Sequence, residues 1–117
     1  MTYYHGKRNT ELNFRSGICF TTDRDSAAAY GPNVFEVEID RSKLNIKTVE
    51  MTDEELREAI DDQEWPCDRE SDRQATIAAG YDAVEYQDVD ERGQMHDCLR
   101  ILTAEAFANA VKIVEMA

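Results

Sequence analysis

Three side chains in this sequence have the types and settings from which sugar- and ring-directed chemistry can be built: His5, Tyr30 and Asp97. His5 follows two tyrosines and precedes Gly6, where the missing Cβ permits close backbone approach or an unusual φ. Its imidazole can donate or accept a hydrogen bond to a sugar hydroxyl. Tyr30 closes the small-residue run Ser26-Ala-Ala-Ala-Tyr30, so its ring can stack on a planar ligand while the alanines leave room. Asp97 opens the apolar run Cys98-Leu-Arg-Ile-Leu102. A carboxylate there can hydrogen-bond a ribose hydroxyl and stabilise an oxocarbenium-like transition state. Glu85 and Asp88 are rival carboxylates just upstream. Each residue also has a plain reading: a polar strand end for His5, core packing for Tyr30, a solvated turn for Asp97. His96 is too isolated to pair with His5 on a metal, and no Cys/His spacing fits zinc, so no metal is expected. No P-loop, GxGxxG or Ser-His-Asp order is present.

These residues need elements to hold them. Thr2–His5 reads as a first strand and Gly6–Ser16 as a polar loop. Gly17–Thr21 is an apolar strand. Thr22 or Asp23 can cap a short helix ending at Tyr30, stopped by Gly31-Pro32. Asn33–Ile39 alternates, with Val34, Phe35, Val37 and Ile39 apolar, which predicts a half-buried strand. Thr52-Asp-Glu-Glu55 is a capping box for a helix that ends before Trp65-Pro66. Glu70 to Ala79 forms a second helix closed by Gly80. Ala83–Tyr86 is a strand, Gln87–Met95 a polar loop, Asp97–Leu102 another strand. Thr103 caps a short helix, and Val111–Glu115 is the last strand. Mixed order with more strands than helices predicts an α+β fold.

At 117 residues the chain is expected to form one domain, residues 1–117, around a single core. No apolar run approaches the ~20 residues of a bilayer span, and no secretory h-region stands at the N-terminus, so no membrane partner is expected. Cys19, Cys67 and Cys98 form no CxxC pair; free thiols and a cytoplasmic location are the expectation. The net charge is −12, and it is concentrated: Glu50 to Glu91 holds 16 acids against Arg57, Arg69 and Arg73. Direct nucleic-acid binding is disfavoured, since phosphate contacts need Lys and Arg. The acidic block can instead attract a basic protein, or simply solvate one face.

Taken in order, the segments resemble the ADP-ribosyltransferase fold. His5-Gly6 is similar to the histidine-glycine of the first motif in the diphtheria-toxin-like and poly(ADP-ribose) polymerase branch. Gly17-Ile-Cys-Phe20 is similar to the second motif, glycine-x-tyrosine-phenylalanine. The run from Phe20 through Ser26 to Tyr30 resembles the helix whose tyrosine stacks on nicotinamide. Gly80-Tyr-Asp-Ala-Val84 resembles a late strand of small phage and bacterial members. Asp97-Cys-Leu-Arg-Ile-Leu resembles the strand that opens with the catalytic glutamate.

The resemblance implies a split β-sheet with short helices and NAD, as substrate, between its halves. It implies His5, Gly6, Phe20 and Tyr30 as NAD-binding residues: His5 on the adenosine ribose, Tyr30 against nicotinamide. It implies Asp97, with His5, as the catalytic residues. Lys7, Arg8 and Arg15 can neutralise the pyrophosphate. Compact viral members include anti-CRISPR ADP-ribosyltransferases, which modify a protein of the host's defence complex; the implied setting is then the host cytoplasm. Two positions depart from the pattern. Cys19 stands where a tyrosine is expected, and Asp97 is one methylene shorter than glutamate. The alternative is a catalytically degenerate relative whose acidic block binds a basic nucleic-acid-binding protein.

Overall fold

A computed structural model describes residues 1–15, 18–89 and 93–116. Its seven strands are β1 (Thr2–Lys7), β2 (Ile18–Thr21), β3 (Asn33–Ile39), β4 (Ile46–Thr48), β5 (Ala83–Val89), β6 (Met95–Ile101) and β7 (Val111–Met116). Four short helices accompany them: α1 (Arg24–Tyr30), α2 (Asp53–Asp62), α3 (Glu70–Ala78) and α4 (Ala104–Ala110). The α+β expectation is met. The strand order is β4-β5-β6-β2-β1-β3-β7, with β4 parallel to β5 and every other pair antiparallel.

The sheet has a weak seam. β1 and β3 pair over six positions, and β2 and β6 over four. β1 and β2 are joined, among the described residues, at Tyr4↔Thr21 alone. One half-sheet is therefore β4-β5-β6-β2, the other β1-β3-β7. On one face Tyr3, Phe20, Val37, Leu99 and Ile101 form the main core under α4. On the other face Val84, Tyr86, Cys98 and Leu102 pack with Cys67 and Trp65. This second cluster lies beside the seam.

Local chemistry places the helices. Asp23 caps α1, its Oδ1 accepting from Asp25 N and its Oδ2 from the Ser26 hydroxyl. The Thr52–Glu55 capping box closes in both directions and starts α2. Gly80, at φ 96°, follows α3 in the left-handed region that favours glycine. The boundaries of β5 and β6 differ from the sequence expectation. The sequence predicts a polar loop from Gln87 to Met95, whereas β5 runs on to Val89 and β6 starts at Met95. Cross-strand pairs such as Asp88↔His96 and Gln87↔Asp97 extend the ladder into polar sequence. The parallel β4 and the 3-10 turn at Arg41–Lys43 carry too few apolar residues to announce themselves.

The cysteine expectation is corrected. Cys19 and Cys98 are joined in a disulfide, 79 residues apart in sequence; Cys67 is free and buried. β2 and β6 are neighbours, and Cys19 and Cys98 sit diagonally on one face with Cα atoms 6.1 Å apart, within disulfide reach. No helix among the described residues is long and apolar enough to cross a membrane.

Candidate functional site

Where β1 and β2 part, a cleft of about 810 Å³ opens. It is lined by strand residues from both half-sheets, by α1, and by the segment that follows α2. His5, Gly6, Phe20 and Tyr30, which the sequence singled out, all border it. Gly17 of the same motif lies outside the described residues, as do Asp90 and Glu91 of the acidic block.

His5 spans the seam. Its Nδ1 is 2.6 Å from the carbonyl oxygen of Cys19. A carbonyl only accepts, so Nδ1 carries the proton and donates. Nε2 is then an acceptor, and it is buried with no partner. Burial lowers the pKa of the ring, offset in part by the bond to Cys19, so the neutral form is favoured. The result is one bare lone pair held at the wall of a cleft. A buried acceptor without a partner costs free energy, on the order of 1–3 kcal/mol, that a hydroxyl donor would recover.

Gly6 serves a different purpose from close approach to a ligand. A Cβ there would fall on the carbonyl oxygen of Ala27. Its bare backbone lets α1 lie directly against β1. Gly31 does the same at the C-terminal end of the helix, where a Cβ would meet the backbone of Lys7 at 2.5 Å. Phe20 is buried and leans on His5, with ring centroids 5.5 Å apart, and it also makes a ring contact with Phe107. It supports the histidine from the core side.

Tyr30 is 46% exposed, so core packing does not account for its ring. Its hydroxyl donates to Asp88 Oδ2 at 3.3 Å and lies 3.4 Å from His96 Nε2. Asp88 and His96 are cross-strand partners on the cleft face, both buried. Asp88 Oδ1 also accepts from Val89 N at 2.6 Å. Burial raises the Asp88 pKa above the usual carboxylate value, against the opposing pull of the Val89 N–H, His96 and the Tyr30 hydroxyl.

Asp97, the expected catalytic acid, is not among the residues that border the cleft. Side chains alternate along β6, so His96, Cys98 and Arg100 face the cleft and Asp97 faces away. Asp97 is exposed and accepts from Gln87 Nε2. Glu85 is on that opposite face too, paired with Arg41 at 2.5 Å. Of the three rival carboxylates, Asp88 alone borders the cleft. The sequence reading put Asp88 in a loop because the apolar pattern stops at Tyr86. Counting by twos from Val84 through Tyr86 to Asp88 is the signal that finds it.

Electrostatically the cleft opposes the rest of the chain. Lys7, Arg8, Arg15 and Arg100 line it, against the carboxylate of Asp88 among the described residues. Arg100 is committed internally, to Asp68 at 2.8 Å and to the Tyr86 hydroxyl at 2.9 Å. Lys7, Arg8 and Arg15 leave a positive rim on a chain of net charge −12. Such a site suits a ligand carrying phosphate, a ribose hydroxyl and a flat ring.

No family model and no curated protein sequence matches the chain. Among solved structures it is similar to one described as the crystal structure of an anti-CRISPR protein. The TM-score is 0.51 at 18% identity, with 97% of this chain and 95% of the other covered. At that identity the likeness is one of fold.

Proposed function

We propose that the chain is an NAD-dependent ADP-ribosyltransferase acting on a protein, encoded by a phage as an inhibitor of a host defence complex. The observation that carries the transferase reading is the composition of the seam cleft. A neutral histidine with a bare Nε2, an exposed tyrosine, a buried carboxylate and a basic rim meet there. The fold likeness to an anti-CRISPR protein supports the inhibitor setting.

The residues fit NAD. The His5 Nε2 lone pair would take a ribose hydroxyl proton, and Lys7, Arg8 and Arg15 would face the pyrophosphate. Bound NAD supplies a glycosidic bond that breaks with its electron pair leaving on nicotinamide, while a lone pair of the target side chain bonds to C1′ and its proton is released. Tyr30 holds Asp88 by its hydroxyl and offers its ring to the leaving group. Asp88 would set its carboxylate against the positive charge that develops on that carbon, its position fixed in advance by two hydrogen bonds. Asp88 thus takes the role that the motif order gave to Asp97.

The test is nicotinamide release and the mass of the modified target, with wild type, Asp88→Ala and Asp97→Ala. Asp88→Ala is expected to lose about 100-fold or more in rate, the scale of removing one positioned electrostatic group. Asp97→Ala should stay within about threefold, because surface changes away from a site act weakly. Absence of NAD binding by the wild type overturns the reading.

A second reading rests on α2, whose Asp53, Glu54, Glu55, Glu58, Asp61 and Asp62 are all exposed. Here the acidic face binds a basic nucleic-acid-binding protein with no transfer. Charge reversal at Glu54, Glu55 and Asp61 would then abolish partner binding, and His5→Ala would leave it intact.

A further inference from the structure

The cleft has a second aromatic wall that no motif marks. Where the resemblance expects a tyrosine, β2 carries Cys19, a small side chain tied to Cys98. The space beside it is crossed by Tyr86, whose hydroxyl lies 3.7 Å from Cys19 Sγ. Tyr86 is itself buried and does not border the cleft. Trp65 lies on it: the rings stack at 15° with centroids 6.1 Å apart. Trp65 borders the cleft and is only half-buried. The indole thus rests on Tyr86 while part of Trp65 stays accessible at the cleft.

The backbone that carries the indole is held firmly. Trp65 N donates to Asp68 Oδ2 at 2.6 Å, and Asp68 N donates back to Trp65 O at 3.0 Å. Asp68 pairs with Arg100, which also grips Tyr86. Cys67 next door takes a left-handed φ of 66° and is fixed by a bond from its N to Asp72. A tryptophan stacked on a clamped tyrosine loses little further freedom on meeting a ligand.

We infer that Trp65 is a ligand-positioning residue, a stacking wall of the cleft for the nicotinamide ring. This rests on the transferase reading and extends it to a segment outside every motif. Trp65 stacks over Tyr86, two residues along the strand from Asp88 on the same face. The ring it meets is therefore the one nearest the carboxylate.

Trp65 is the one tryptophan in the chain, so its emission reports on this wall alone. The experiment titrates wild-type protein with NAD and with ADP-ribose, following tryptophan emission and binding heat together. NAD is expected to quench emission with the same midpoint as the heat, and ADP-ribose, which lacks nicotinamide, to bind without comparable quenching. Trp65→Leu keeps apolar bulk over Tyr86 and should weaken NAD binding by about tenfold, the scale of one lost base–aromatic stack. Trp65→Phe should recover most of that loss. NAD heat with unchanged emission, or equal quenching by ADP-ribose, overturns the assignment while the transferase reading stands. So does a Trp65→Leu protein that melts like wild type and binds NAD equally well. No NAD heat in the wild type overturns both.

Discussion

At the scale of single residues, the site sets function against stability. Asp88 is buried, and its pKa is raised by that burial. An unfolded Asp loses its proton near 3.8, whereas folded Asp88 keeps it to higher pH. Its stabilising contribution is present below that value and is lost as pH rises through the folded pKa. At neutral pH a buried carboxylate is therefore a net cost. Asp88→Asn should melt roughly 2 °C or more above wild type at pH 7, with the gap closing below pH ~4, while transfer fails. A thermal scan at both pH values checks this; a lower melting point at pH 7 contradicts it. His5 has the opposite sign. Its folded pKa lies below the ordinary 6.5, so stability is full above that value. It falls as pH drops below ~6.5, because the unfolded chain binds the proton first, and levels off past the folded pKa. His5→Gln should flatten the slope of melting temperature against pH in that window. Both effects come from groups kept polar in a wall that apolar side chains would fill more stably, as expected where a site is selected for binding.

At the scale of elements, the cleft exists because α1 can lie against β1. Gly6 and Gly31 make that approach possible, Gly6 against Ala27 in mid-helix and Gly31 at the helix C-terminus. Gly6→Ala should cost about 2 kcal/mol, within the range for overpacking, and should displace Tyr30 from Asp88. Urea denaturation measures the first effect, and loss of NAD binding out of proportion to stability measures the second. A Gly6→Ala protein with the wild-type urea midpoint would contradict this account. The same elements explain what the sequence could reveal. Caps and alternation carry strong local signals, so Asp23, the Thr52–Glu55 box and the Asn33–Ile39 strand are legible residue by residue. Pairing is not local. The strand ends at Val89 and Met95 are held by pairing across the ladder, which the polar local sequence does not signal. A one-residue error of parity moves a carboxylate from one face of a sheet to the other. The Cys19–Cys98 bond and the Trp65–Tyr86 stack stayed hidden for the same reason, since each joins segments that only the fold brings together.

At the scale of the whole molecule, two charge systems are kept apart. The acids cluster between Glu50 and Glu91, with those of α2 exposed to solvent. The basic rim of the cleft comes from the first 15 residues: Lys7 and Arg8 at the end of β1, and Arg15 just before β2. A chain of net charge −12 repels a dinucleotide at long range, yet the rim attracts it within the cleft. Salt screens both over a Debye length of about 8–10 Å, but the contacts inside the cleft are shorter and survive better. Raising salt should therefore weaken NAD binding less than it weakens any complex held by the α2 face. Replacing Lys7, Arg8 and Arg15 together by Ala removes the attraction and leaves the repulsion. The triple variant should bind NAD at least tenfold more weakly at low salt, and added salt should then strengthen its binding, reversing the wild-type trend. Calorimetry across a salt series reads both signs. If the triple variant keeps the wild-type slope, the rim does not hold the phosphates, and the acidic face becomes the better place to look for a partner.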